Sequence, residues 1–183
     1  MTNDHPIQES LFDMGGPDEA LGYRVPIACQ VAGITYRQLD YWARTKLVEP
    51  SIRTARGSGS QRLYSFKDIL VLKIVKRLLD TGISLQNIRQ AVDKLRDLGV
   101  EDLAEITLVS DGTTVYECRS AEEVIDLLGG GQGVLGIAVP GIMKELTGTI
   151  SAFPSERVDQ PATTDTTPES EVDELAARRR KSS

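Results

Sequence analysis

The chain has 183 residues and a hydrophobic content of 40%, which suffices for one ordinary domain or for two small ones with tails. It has no apolar stretch of about 18 residues, and its acidic N-terminus is unlike a signal peptide, so we expect a cytoplasmic protein with no membrane partner. Its only cysteines are Cys29 and Cys118, and its only histidine is His5. This set predicts no metal site, and two reduced thiols rather than a disulfide scaffold.

Charged residues are distributed unevenly along the chain, although the net charge of the whole is −6. Residues 1–21 hold 0 basic and 5 acidic groups, whereas residues 22–96 hold 14 basic and 5 acidic groups, a net charge of +9. Residues 97–153 carry 2 basic and 10 acidic groups, and residues 154–183 carry 5 and 7. A basic segment inside an acidic protein indicates a polyanion partner for that segment alone.

Composition and apolar pattern divide the chain into four parts. Residues 1–21 mix acidic residues with Gly and Pro and are predicted to be a flexible acidic arm. Residues 22–98, called the N-terminal module below, and residues 99–153, called the C-terminal module, carry regular apolar patterns. Residues 154–183 are predicted to be a disordered tail. Its final Arg178-Arg179-Arg180-Lys181 run is interpreted either as solvated or as an additional nonspecific contact to nucleic acid.

The start of the N-terminal module has the outline of a helix-turn-helix. A short helix is predicted over residues 26–31, with proline at a first helical position, and Gly33 ends it. Thr35 and Gln38 form a Thr-x-x-Gln capping box, which predicts a second helix over residues 36–45. Helix, glycine turn and helix in this order are typical of a helix-turn-helix motif.

The rest of the N-terminal module is predicted to contain a hairpin and two helices. The arms of the hairpin cover residues 51–56 and 61–64, and the tip Gly57-Ser58-Gly59-Ser60 joins them, which makes the hairpin a candidate wing. A helix with a Ser65/Asp68 capping box follows over residues 65–80, and a last helix over residues 84–98. Apolar residues of the last helix recur like one seam of a coiled coil: Leu85, Ile88, Val92 and Leu95.

The first part of the C-terminal module has the pattern of a β-hairpin followed by a helix. Strands are predicted over residues 106–109 and 114–118, on either side of an Asp111-Gly112 turn. Ser120 with Glu123 caps a helix that runs through Leu128. This order of elements predicts a small α+β domain.

The second part of the C-terminal module is rich in glycine and apolar residues. A bend is predicted over residues 129–136, and a helical turn over residues 142–146. Residues 131–136 match G-x-G-x-x-G, but they follow a predicted helix rather than a strand, so no dinucleotide cofactor is predicted. The apolar stretch 134–142 is interpreted as core or dimer interface, and the lining of an effector pocket is the alternative.

The second predicted helix carries side chains suited to nucleic acid. Arg37, Tyr41 and Arg44 share one face, while Leu39 and Trp42 point elsewhere and suit a core. Arginine grips guanine in the major groove with two hydrogen bonds, and tyrosine reaches phosphate or base edges. A solvated charged face is the alternative, but the position after a capped glycine turn favours contact with DNA. Around the wing tip, arginines are placed to follow a phosphate backbone: Arg53, Arg56 and Arg62.

Six short patterns, in order and spacing, together resemble the MerR family over about residues 22–98. They are Tyr23-Arg24-Val25, Ala32-Gly33-Ile34-Thr35, Arg37-x-Leu39-x-Tyr41-Trp42, Leu47-Val48-x-Pro50, Arg62-x-Tyr64-Ser65 and Gly82-Ile83-Ser84-Leu85-x-x-Ile88. The resemblance implies a winged helix-turn-helix that binds palindromic promoter sites as a homodimer and twists or bends DNA for RNA polymerase. With the residues above, it predicts these DNA contacts: Arg24, Thr35, Tyr36, Arg37, Tyr41, Arg44, Arg53, Arg56, Arg62 and Tyr64.

The chain departs from the family pattern in ways that affect the prediction. Ile27 stands where a polar residue is common, Gln61 replaces a frequent wing tyrosine, and the wing tip is longer than usual. The long dimerisation helix is missing because Gly99 follows after about two heptads, so dimerisation is expected from the C-terminal module. The cysteines of metal-sensing members are also missing.

Two functions from different classes remain open at this point. The first is a promoter-binding regulator, and a narrower resemblance is to actinobacterial regulators of division genes. The alternative is a nucleoid- or division-associated protein that uses DNA as a platform and recruits partners through its acidic C-terminal module. An enzyme is not expected, because no paired carboxylate, Cys/His or Ser/His arrangement is evident.

Overall fold

The computed structural model describes residues 18, 20–54, 61–131 and 133–157. Within them, helices and two small sheets form an α+β fold, as the sequence predicts. The first six elements are β1 (Leu21–Arg24), α1 (Val25–Ala32), α2 (Tyr36–Arg44), β2 (Leu63–Tyr64), α3 (Phe66–Asp80) and α4 (Leu85–Arg96). The later elements are α5 (Val100–Leu103), β3 (Thr107–Ser110), β4 (Val115–Cys118), α6 (Ala121–Gly129), β5 (Leu135–Ala138), α7 (Val139–Ile150) and β6 (Glu156–Arg157).

The helix starts predicted from capping residues are confirmed. The Thr35 and Ser65 side chains each accept a hydrogen bond from the backbone N–H three residues on, and the capping boxes of α2 and α3 are complete. The Ser120 hydroxyl caps α6, as predicted, by accepting from the Glu123 N–H at 3.2 Å, and the structure adds a cap of α4 by the Ser84 hydroxyl. Such caps satisfy N–H groups that have no partner inside the helix, so they fix where each helix begins.

The predicted hairpin of the C-terminal module is also confirmed. Strands β3 and β4 pair antiparallel, with Ser110 opposite Val115. Gly112 lies in the turn at φ +89°, a backbone conformation that glycine adopts without steric cost. The Asp111 carboxylate accepts from two turn N–H groups, at 2.8 Å and 2.7 Å, and these bonds lower its pKa.

The region of the predicted wing differs in part from the expected hairpin. Its second arm contains only the short strand β2, which pairs with β1 rather than with a strand from the first arm. Arg53 of the first arm forms an isolated antiparallel bridge with Leu63. The wing tip lies outside the described residues.

One hydrophobic core joins the two modules. It includes Trp42 of α2, Ile74 of α3 and Val92 of α4, together with Leu146 of α7. The seam on α4 therefore faces its own chain and not a second copy. The helix α7 packs against α1 and α3, so the C-terminal module returns to the N-terminal module. The division at residue 98 stays a prediction, but the core does not stop there.

The prediction for the glycine-rich part of the chain was wrong in two respects. Residues 135 and 136, assigned to a bend, belong to β5, which pairs antiparallel with β3 and completes the sheet in the order β4-β3-β5. The single turn predicted at 142–146 is the 12-residue helix α7. Glycine lowers local strand and helix propensity, but pairing with β3 and packing on the core override that preference.

The boundaries of the arm and of the tail also need correction. Leu21 was assigned to the flexible arm, but it lies in β1. Residues 154–157 were assigned to the disordered tail, yet β6 pairs antiparallel with β1, with Arg157 opposite Leu21. The sheet of the N-terminal module therefore has the order β2-β1-β6. Pairing between positions so far apart leaves no local signal in the sequence.

Candidate nucleic-acid interface

The turn between α1 and α2 is built as a helix-turn-helix requires. Gly33 adopts a left-handed conformation at φ +72°, and the Ile34 N–H donates to the Cys29 carbonyl at 3.0 Å. The Thr35 N–H donates to Gln38 Oε1 at 2.9 Å, and the Gln38 N–H donates to Thr35 Oγ1 at 3.2 Å. Thr35, predicted as a DNA contact, thus holds the start of α2 while its surface remains exposed.

The helix α2 separates buried apolar side chains from exposed polar ones. Leu39 is 0% exposed and Trp42 is 2% exposed, as predicted, so they anchor the helix to the core. The opposite side presents four of the predicted contact residues to solvent: Tyr36, Arg37, Tyr41 and Arg44. Both tyrosines are well exposed, with 63% of the surface accessible for Tyr36 and 47% for Tyr41.

Arg62 lies close to α2 and is not a free cation. Its guanidinium donates to Asp40 Oδ1 at 3.0 Å, and its side chain is only 21% exposed. Burial by itself lowers the pKa of Arg62, but the hydrogen bond to Asp40 and the neighbouring charge outweigh that effect and raise it. The second Asp40 oxygen pairs with Arg44 Nε at 2.9 Å, so one carboxylate joins two of the predicted contact residues.

The prediction that Tyr64 contacts DNA is wrong for its side chain. Tyr64 is 0% exposed, and its hydroxyl has no hydrogen-bond partner among the described residues. Burial raises its pKa to about 12, and the nearby guanidinium of Arg62 opposes this only in part. The aromatic ring is part of the core because β2 pairs with β1 and turns Tyr64 inward.

The remaining predicted contacts lie around β1 and the wing region. Arg24 is the last residue of β1 and directly precedes α1, and its side chain is paired with the Glu156 carboxylate of β6. Arg53 is exposed and exchanges two backbone hydrogen bonds with Leu63, at 3.2 Å and 2.9 Å. Arg56 lies outside the described residues.

Two acidic residues that contact the predicted site were missed by the sequence analysis. Asp40 precedes Arg44 by four positions, a spacing that by itself favours an ion pair on a helix, so this contact had a usable signal. The contact between Asp40 and Arg62 spans 22 positions, and that between Arg24 and Glu156 spans 132. Neither contact leaves a local pattern in the sequence, because each joins residues that only the tertiary fold brings together.

The other chemistry-bearing groups do not form a cluster in the described part of the chain. No group of three or more His, Cys, Asp or Glu side chains there is placed to hold a metal ion. Cys29 and Cys118 are free thiols, and burial raises the pKa of each. Among the described helices, none is long and apolar enough to span a membrane.

The fold and the exposed basic helix define a helix-turn-helix protein. A family model described as the MerR HTH family regulatory protein matches residues 23–95. HTH-type transcriptional regulators of Mycobacterium bovis and Mycobacterium tuberculosis are each 72% identical over 176 residues, which cover 96% of this chain and 76% of each relative. The HTH-type transcriptional regulator GlnR of Bacillus cereus is 31% identical over 70 residues, 38% of this chain and 51% of that protein.

The chain belongs to the MerR family of helix-turn-helix regulatory proteins, and it is a DNA-binding transcription regulator. The family predicted from the six short patterns is thereby confirmed. The narrower resemblance to regulators of division genes stays a prediction. The match ends at residue 95, so the whole C-terminal module lies outside the shared domain.

Proposed function

We propose that this regulator binds palindromic promoter DNA as a homodimer, with α2 of each copy in the major groove. The exposed face of α2 carries this proposal, because Arg37, Tyr41 and Arg44 lie on it directly after the capped turn. Arginine and tyrosine there are placed to meet base edges and phosphates. Two such helices read half-sites about 34 to 36 Å apart along the duplex.

A homodimer needs a contact surface, and the C-terminal module supplies the candidate. We define the α6–β5 surface by three exposed apolar residues, Ile125, Leu128 and Leu135, with exposed fractions of 63%, 48% and 41%. Strand β5 pairs only with β3 among the described strands and carries no charged residue or proline, the usual protections of a sheet edge. A second copy of β5, running antiparallel, is the occupant that fits this edge.

Distortion of the bound DNA completes the proposal. The family resemblance supports a regulator that twists or bends its site, so that promoter elements are realigned for RNA polymerase. Bending has an energetic cost that depends on the sequence being bent, which adds specificity at bases the protein does not touch. The protein would then act at the bacterial nucleoid.

Replacing Arg37 with Ala tests the role of α2. The full chain would first select a duplex from a randomised pool, and binding would be measured by fluorescence anisotropy over a salt series. We expect Arg37→Ala to weaken binding about 5- to 150-fold, because one base contact is worth about 1–3 kcal/mol. The matched control is Lys144→Ala, which removes the same charge from the exposed side of α7. Equal affinity of Arg37→Ala and wild type would overturn the role of α2.

A second candidate function is favoured by the composition of α6. Its exposed acidic residues, Glu122, Glu123 and Asp126, lie beside the apolar residues of the α6–β5 surface. Such a surface suits recruitment of a different protein by a nucleoid- or division-associated DNA-binding protein. Footprinting separates the two: short, phased protection at a few promoters supports the regulator, whereas extended protection with little sequence preference supports the platform.

A further inference from the structure

A single carboxylate on α2 connects two arginines from different parts of the N-terminal module. Asp40 Oδ1 accepts from Arg62 Nη2 at 3.0 Å, and Asp40 Oδ2 pairs with Arg44 Nε at 2.9 Å. Arg44 lies on α2 itself, whereas Arg62 directly precedes β2 at the base of the wing region. Asp40 therefore fixes the recognition side of α2 relative to the segment that leads from the wing into α3.

The two contacts of Asp40 differ in burial. The side chains of Asp40 and Arg62 are 23% and 21% exposed, so their ion pair is partly shielded from water and from salt. The side chain of Arg44 is 70% exposed, so its pair with Asp40 limits its orientation but leaves most of it accessible. One contact is suited to holding two elements together, and the other to aiming a side chain.

The negative charge of Asp40 weakens the attraction between this surface and DNA. A carboxylate beside the exposed Arg37 and Tyr41 repels phosphates, and it neutralises part of the charge of two arginines. Nonspecific affinity comes almost entirely from such charges, whereas discrimination among sequences requires side chains in fixed positions. A carboxylate that fixes two arginines therefore lowers nonspecific affinity and raises discrimination among sequences.

We infer that Asp40 is a positioning residue that sets sequence specificity, by orienting Arg44 on α2 and tying the Arg62 segment to the same helix. This inference rests on the proposed binding of DNA through α2. Asp40 does not itself contact a base in this scheme. Its effect appears as a lower affinity for arbitrary DNA and a higher ratio between the affinities for the selected site and for arbitrary DNA.

The test uses the full chain with Asp40→Asn, which keeps the size of the side chain and removes its charge. Two duplexes of equal length and base composition are compared: one selected by the wild-type chain from a randomised pool, and one scrambled. We expect binding to the scrambled duplex to tighten severalfold, with its salt slope steeper by about one to two because one or two cations become available. The ratio of the two affinities is expected to fall about tenfold.

Three further variants separate positioning from a change in charge or in folding. Asp80→Asn removes the same charge from an exposed ion pair on α3, so a salt slope that steepens equally there would overturn the inference. Asp40→Glu keeps the carboxylate and is expected to restore the wild-type salt slope. Arg62→Gln is expected to lower the affinity ratio in the wild-type background. Beside Asp40→Asn it should lower that ratio little further, and it should reduce the salt slope by about one because it removes a cation that Asp40→Asn makes available.

The outcomes also distinguish this inference from the proposed function. An equal loss of affinity for both duplexes in Asp40→Asn, with an unchanged salt slope, indicates a purely structural role and overturns the inference alone. If Asp40→Asn leaves the affinities for both duplexes unchanged, the inference is also overturned, and the proposed function is not affected. Failure of the wild-type chain to select any duplex overturns the proposed function, and the inference with it.

Discussion

The helices of the N-terminal module bury apolar faces in the common core, whereas α6 of the C-terminal module buries no side chain. Local signals do not distinguish them, because Ser84 caps α4 and Ser120 caps α6 in the same way. The difference lies in the partner: α4 packs on α3 and β4, while Ile125 and Leu128 of α6 face solvent. The helix α6 contacts β4 but leaves large apolar side chains in solvent, which is the basis for the proposed contact surface.

The largest effect that tests this comparison is expected from a truncation in α7. Leu146 is 0% exposed and lies in the core shared by both modules, so Leu146→Ala should destabilise the chain by about 2–5 kcal/mol. Leu128→Ala, on the α6–β5 surface, should change the stability of the monomer by less than about 0.5 kcal/mol and should instead weaken the dimer. Urea unfolding measures the first quantity, and sedimentation equilibrium the second.

Either of two results would break the comparison. If Leu128→Ala destabilises the monomer as much as Leu146→Ala does, then α6 packs on its own chain in solution. If Leu146→Ala leaves the urea midpoint unchanged, then α7 does not support the N-terminal module. The dimer constant should be measured at several protein concentrations, because the stability of a dimer depends on concentration.

A smaller effect is expected from the ion pairs between α7 and α3. Lys73 is almost buried and donates to the Val31 carbonyl at 3.2 Å, and it pairs with Glu145 at 2.9 Å. Arg77 pairs with the other oxygen of Glu145 at 3.0 Å. Glu145→Gln should cost about 1 kcal/mol, well below the value for a fully buried pair because half of Glu145 is exposed.

The same carboxylate predicts a dependence on pH. The hydrogen bond from Lys73, followed by the nearby positive charges, lowers the pKa of Glu145 from its usual 4.5. Because the pKa is lower in the folded chain, the stabilisation is complete above the usual value and is lost as the pH falls through the lowered one. Urea titrations from neutral to acid pH should therefore show a steeper loss for wild type than for Glu145→Gln. If stability falls with pH equally in wild type and in Glu145→Gln, then the charge of Glu145 does not stabilise the packing of α7 on α3.

The smallest effect is expected where β6 meets β1. The pair between Arg24 and Glu156 is exposed, so Glu156→Gln should change stability by less than about 1 kcal/mol. The affinity for DNA should rise a few fold at low salt, because Glu156→Gln releases Arg24, which is a predicted phosphate contact. A loss of affinity in the anisotropy titration would instead mean that Glu156 holds Arg24 in its binding position.

Sequence reasoning succeeded where structure depends on neighbours in the chain. Thr35, Gly33 and Ser65 define helix ends through contacts within a few residues, and the spacing of Leu39 and Trp42 identifies the buried side of α2. These features also located the exposed face of α2. The family was identified for the same reason, since its patterns lie in this locally determined part.

Sequence reasoning failed where pairing joins distant positions. Residues 135–138 become a strand because β3 offers an edge, and Glu156 meets Arg24 because the chain returns to β1. Tyr64 resembles a wing residue by position, but pairing of β2 with β1 places its ring in the core. Tertiary pairing of this kind overrides local propensity and has no periodic signature.

The pairing of β6 with β1 has a consequence for how the protein is made. A ribosome adds about 5 to 20 residues per second, so the strand containing Leu21 waits on the order of ten seconds for Arg157, its partner in the sheet. During that time the free edge of β1 and the apolar surface that α7 later covers are open to other chains. The sheet of the N-terminal module is therefore completed only after Arg157 has been added, and a nascent chain shorter than this leaves the edge of β1 unpaired.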